Sequence, residues 1–142
     1  MVIATPHALA GAAAGQRVAF GGRAVAVAVA FTAGVLTHLL LDRVPHADYA
    51  LAEFGGLLFV VDFAVAAALS VKLTGGPLVP LTGAAGGVLP DVAHVLEKHA
   101  GIDITRTLQV ANHTDLTWPL WAGLATQAAV VGLCVLLLCG RR

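Results

Sequence analysis

Long apolar runs, cut by short polar breaks, set out this chain. Ala24 to Leu41 is almost uninterrupted Val, Ala and Leu and predicts a membrane-spanning helix that closes at His38 and Asp42. Phe54 to Leu73 predicts the next span, with Asp62 near its middle, and Gly75-Gly76-Pro77 separates it from a third, Leu78 to Leu96. That third span is rich in glycine (Gly83, Gly86, Gly87), and Pro90 should kink or end it. Thr117 to Cys139 predicts the fourth, with Trp118 and Trp121 where an aromatic belt would lie. Ahead of them, Thr5 to Phe20 is short of the roughly 20 residues a full span takes. Its Gly11 and Gly15 suit close contact with other membrane helices, and Thr5 is placed to cap it with Pro6 at the first helical position. Polar connections run from Arg43 to Glu53 and from Glu97 to Thr114. The expected fold is all-α: a polytopic membrane helix bundle of four spanning helices plus a short N-terminal membrane helix, one integral membrane domain over residues 1–142.

Composition strengthens the membrane reading. Hydrophobic residues make up 58% of the chain, charged ones only 11%, and the mean hydropathy is +0.88. A soluble domain carries about 25% charged residues, so this chain lacks the charge to cover a water-facing surface. The formal net charge is zero and no Lys/Arg stripe is interleaved with aromatics, which excludes a nucleic-acid partner. Cys134 and Cys139 are five apart in one apolar run and face different sides of a helix, so no internal disulfide is expected. The first ten residues carry no basic segment of the kind that opens a cleavable signal peptide.

Placing Arg141 and Arg142 in the cytoplasm puts Arg17, Arg23 and Lys72 there too, with Arg43, Lys98 and Arg106 on the other side. That modest positive-inside bias carries a larger consequence. His7, the stretch from His38 to Asp48, Asp91, His94 and His113 all fall at one membrane face, the non-cytoplasmic one.

The chemistry concentrates in those residues. His38 and Asp42 are four apart and share one helix face, and Asp91 and His94, three apart, face together in the same way. Both sets offer nitrogen and oxygen ligands suited to zinc, manganese or iron. Either pair alone is as well read as a hydrogen-bonded structural contact; together with His7, His46, Asp48 and His113 at one face they point to a metal site. His99, beside Glu97 and Lys98, reads as a solvated side chain. Asp62 is either a functional intramembrane carboxylate, such as a proton or metal-ion carrier would use, or an Asp hydrogen-bonded between helices. Gly34 with His38 is also a pattern that could seat a tetrapyrrole magnesium beside a tight helix contact.

In order along the chain, His7, then His38…Asp42…Pro45-His46, then Leu89-Pro90-Asp91-x-x-His94, then His113 resembles the bacterial membrane-bound metal-dependent hydrolases. These are small multi-pass proteins likened to zinc-dependent phospholipase C. Their signature resembles Leu-Pro-Asp-x-Asp-His followed by His-x-x-x-Thr-His-Ser. Leu89, Pro90, Asp91 and His94 match it; Ala93 stands at the second aspartate, and Asn112-His113-Thr114 keeps only part of the later element.

The resemblance implies a metal-dependent hydrolase of a phosphoester or lipid headgroup in the bacterial cytoplasmic (inner) membrane. Its divalent metal, zinc before manganese or iron, would be held by His7, His38, Asp42, His46, Asp91, His94 and His113. The lone serine, Ser70, is expected at the opposite membrane face and so offers no competing nucleophile. The alternative is a non-catalytic subunit or scaffold of a homo-oligomer or larger membrane complex, binding metal or a tetrapyrrole pigment through the same histidines.

Overall fold

In a computed structural model, which describes residues 4–18, 20–46, 55–100 and 119–140, the chain is all-helical. The described helices are α1 (Ala4–Val18), α2 (Arg23–Leu41), α3 (Gly55–Thr74), α4 (Leu78–Ala100) and α5 (Leu120–Cys139). The last four are long and apolar enough to cross a membrane. Their outward faces carry large apolar side chains, among them Leu36, Leu40, Val60, Trp121 and Leu136. That is what a helix facing lipid requires, since a water-facing helix would carry charge there.

The shortest helix is the central one. α1 packs against all four others, most extensively α4 and α2, and Ala4 to Ala13 and Gly15 are buried along it. Its alanines and glycines explain the position, because only small side chains let several helices crowd one axis. Arg17 closes the far end: its guanidinium donates to Ala13 O (3.1 Å) and to Leu137 O (3.2 Å) near the end of α5. Leu137 O is a carbonyl that the last turn of α5 leaves without a helical partner, and the cation stands at the negative ends of both helix dipoles.

α4 wedges between α1 and α2 through glycine. A Cβ added at Gly11 of α1 or at Gly34 of α2 would overlap the same atom, the carbonyl oxygen of Gly83. A Cβ at Gly87 would overlap His7 O, and one at Gly86 would overlap Phe31 O. Backbones this close exclude any side chain between them, and the contact is held by dispersion across the whole seam.

The boundaries expected from the sequence shift by a few residues. The first helix covers Ala4–Val18, with Thr5 already inside it, and the last begins at Leu120 after an extended Pro119. Pro90 does not end its helix; α4 continues to Ala100. Gly75 and Gly76 turn α3 into α4 with φ of 76° and 87°, which side-chain-bearing residues rarely adopt. Cys134 and Cys139 are both free, one buried and one exposed.

Candidate metal centre

Each functional side chain stands one helical turn from a glycine of the three-helix seam. His7 precedes Gly11 by four residues, His38 follows Gly34 by four, and Asp91 follows Gly87 by four. Since residues four apart lie one above the other on a helix, the seam that brings three backbones together also delivers these three side chains to one spot. Asp42, four beyond His38 at the end of α2, completes the group. The four are among the most buried polar residues described: His7 and His38 at 2% exposure, Asp42 and Asp91 at 6%.

The geometry singles out three of them. His7, His38 and Asp42 each offer a ligand atom, and those atoms all lie within 4.8 Å of one another. His38 Nε2 is 3.2 Å from Asp42 Oδ2, and His7 Nε2 is 3.7 Å from Asp42 Oδ1. The two imidazole rings have centroids 4.2 Å apart at 45°. Around a tetrahedral zinc with bonds near 2.0–2.1 Å, neighbouring ligand atoms sit about 3.3 Å apart. The observed spacings bracket that value.

The other face of His38 fixes its tautomer. Nδ1 lies 2.7 Å from Gly87 O, and a carbonyl can only accept, so Nδ1 carries the proton. Nε2 faces a carboxylate oxygen 3.2 Å away, and an unprotonated Nε2 would be a second acceptor there. Two acceptors do not settle at that distance in a low-dielectric interior unless a cation, a proton or a metal, lies between them. Histidines that ligate metals commonly give their second nitrogen to a backbone carbonyl or carboxylate. Here the carbonyl is Gly87 O; Asp91 Oδ2, 4.0 Å from the same nitrogen, adds negative charge beside it without taking its proton. Pro90 sits beside this contact; without an N–H it leaves the Gly86 carbonyl undonated and loosens the ladder where Gly87 O turns to His38.

The remaining expected ligands are distributed differently. Asp91 lies on the Nδ1 side of His38, outside the group formed by His7, His38 and Asp42. His94, three residues after Asp91 on α4, is exposed whereas Asp91 is buried. His46 lies just beyond α2, its Nδ1 2.9 Å from Val44 O. It borders a cavity of about 10 Å³ shared with His7, Thr126 and Gln127, room for roughly one water. His113 and Asp48 lie outside the described residues. The Gly34 face that would have received a pigment is covered by Gly83 and Gly87 of α4.

One participant escaped the sequence reading, and of the two readings of Asp62 the structure shows the hydrogen bond between helices. Gln127 is buried on α5 and borders that small cavity, and nothing in its surroundings (Ala-Thr-Gln-Ala) marks it except polarity in an apolar span. Asp62 has a definite task. The Ala4 and Thr5 N–H groups donate to its Oδ2, and the Thr5 hydroxyl donates to its Oδ1. A carboxylate from α3 thus caps the N-terminus of α1, satisfying N–H groups that no helical carbonyl can reach and facing the positive end of the helix dipole. The cap sits one turn from His7 and anchors it. A polar residue in a span was the available signal; its partner could not be read, because it lies 58 residues away.

Compared with known protein families, with curated proteins and with solved structures, the chain gives no match. The resemblance to membrane-bound hydrolases therefore rests on the quoted residues alone.

Proposed function

We propose that this chain is an integral membrane metalloprotein that hydrolyses a phosphoester or lipid headgroup at one membrane face. The observation that carries the reading is the buried convergence of His7, His38 and Asp42, with His38 Nε2 3.2 Å from Asp42 Oδ2 and His7 Nε2 3.7 Å from Asp42 Oδ1. His7, His38 and Asp42 would hold the ion, zinc before manganese or iron on ligand type. Asp42 and Asp91 together balance its two positive charges, which a buried site requires. When bound, a divalent ion polarises a phosphoryl oxygen and lowers the pKa of a coordinated water to about 7. Gly87 O would keep the His38 ring oriented, with Asp91 4.0 Å from the same nitrogen, while His46 and Gln127 border the water-sized space beside His7. The modest positive-inside bias favours the non-cytoplasmic face for this end, and the family resemblance implies a bacterial inner membrane.

A second reading, a non-catalytic subunit holding the same metal for structure, is favoured by one observation: none of the four side chains exceeds 6% exposure. Structural metal sites are closed, whereas catalytic ones keep an open position. The purified protein, stripped of metal and reloaded with zinc, should cleave a chromogenic phosphodiester or release headgroup from phospholipid, and His38→Ala should not. Stoichiometric metal without hydrolysis of either substrate would overturn the hydrolase and leave the structural subunit.

A further inference from the structure

On the hydrolase reading, a substrate must reach a centre in which no side chain exceeds 6% exposure. The packing of the helices shows where the bundle is open to it. α1 packs against all four other helices, and around it α2 packs on α4, α4 on α3 and α3 on α5. Among the described residues α2 and α5 make no such contact, so the ring is open at that edge. On the α4 side of α2 the backbones meet through glycine, and nothing passes between them. Between α3 and α4 lies a cavity of about 360 Å³, but apolar side chains line it almost throughout and give a charged headgroup no partner. The α2–α5 edge differs in its chemistry. The water-sized space beside His7 lies there, bounded by Leu41 and His46 on one side and by Thr126, Gln127 and Val130 of α5 on the other. At this level both helices also carry exposed apolar side chains, Leu40 on α2 and Leu124 on α5, so their surroundings are lipid.

We propose that a phospholipid enters the centre sideways from the bilayer, its phosphate passing between α2 and α5 as α5 tilts outward. This rests on the hydrolase reading and narrows its substrate to a lipid already resident in the membrane. The space at the edge holds about one water, too little for a phosphoryl group, so the edge must widen. α2 is not the helix that moves, because glycine holds its backbone against α4: a Cβ at Gly34 would overlap Gly83 O, and one at Gly86 would overlap Phe31 O. α5 is free of that restraint. It packs on α1 and α3 alone among the described helices, and Arg17, donating to Leu137 O, ties it to α1 at the far end. Rotation of one packed element about a fixed contact is a common switching motion. With the Leu137 end tied, the end bearing Thr126 and Gln127 has the greater outward reach, and that end borders His7. Gln127, polar in an otherwise apolar span, then offers its amide to the entering phosphate.

The test uses the full-length protein, with Cys134 and Cys139 replaced by alanine, in phosphatidylethanolamine/phosphatidylglycerol nanodiscs. Spin labels on Leu40→Cys and Leu124→Cys report the metal end of the edge, and labels on Val25→Cys and Leu136→Cys report the far end. Electron–electron distance measurements should show two populations for the first pair and one for the second. Phosphatidylethanolamine with a diazirine on its headgroup should crosslink to residues 41–46 and 126–130. Joining the first cysteine pair with a bifunctional maleimide should stop both zinc removal by a chelator and headgroup release from phospholipid, whereas joining the second should change neither. A single distance at both ends, or headgroup crosslinks absent from those residues, would overturn the proposal. Two populations with headgroup crosslinks, in a protein that hydrolyses no lipid, would uphold the route and remove the hydrolase reading alone, since neither readout uses the metal or turnover.

Discussion

His38 is held from both sides, and the two sides do different work. Gly87 O fixes the proton on Nδ1, and Asp42 faces Nε2. The two aspartates beside this ring should therefore differ when neutralised. Asp42→Asn loses the anionic ligand and should empty the centre. Asp91→Asn alters only the orienting shell, and zinc affinity should fall by about 10–100-fold while the site still fills at high zinc. Competition with a chelating dye measures both. Equal losses would put Asp91 among the ligands. Part of this was legible from residue spacing: His38 with Asp42, four apart, is a pair any helix makes. That Asp91 would lie on the side of the opposite nitrogen was not, because its place depends on how α4 is rotated against α2, and glycine contacts set that rotation.

At the scale of elements, the glycine seam and the Asp62 cap set the spacing of the centre. Gly83→Ala puts a methyl group against the Gly11 backbone, which cannot swing aside as a side chain could. It should cost about 1–3 kcal/mol and release metal, as α1 and α2 are pushed apart. Gly132→Ala, where an added Cβ meets nothing within 4 Å, should change neither. Asp62→Ala, which strips the cap from α1, should cost about 1–2 kcal/mol and loosen His7. Thermal melts in detergent, read with metal content, check all three; a stable, metal-replete Gly83→Ala would contradict the seam. Apolar runs and their glycine-proline breaks revealed the four long helices, since hydrophobic length is a property of each segment by itself. They did not reveal that α1 lies at the centre, because that depends on which small-residue faces meet, and Gly11, Gly15, Gly34 and Gly83 admit several pairings on sequence grounds.

Over the whole molecule, the helices alternate in direction, so the end bearing His7, Asp42 and His46 is opposite the end bearing Arg17, the Gly75–Gly76 turn and Gly140. With both native cysteines replaced by alanine, Val44→Cys and Gly76→Cys should react with an impermeant maleimide from opposite sides of sealed vesicles. Labelling of both from one side would contradict the four-span arrangement. The bundle gathers most of its described buried charge at one end, and a cation is the simplest reason for two imidazoles and two carboxylates to share that interior. The most direct measurement is the metal content of tag-free protein purified with zinc present, parent beside His38→Ala. The parent should carry about one equivalent per chain and His38→Ala close to none, with both still inserted in the membrane. A parent without metal, or a His38→Ala protein that holds as much as the parent, would contradict the metal centre.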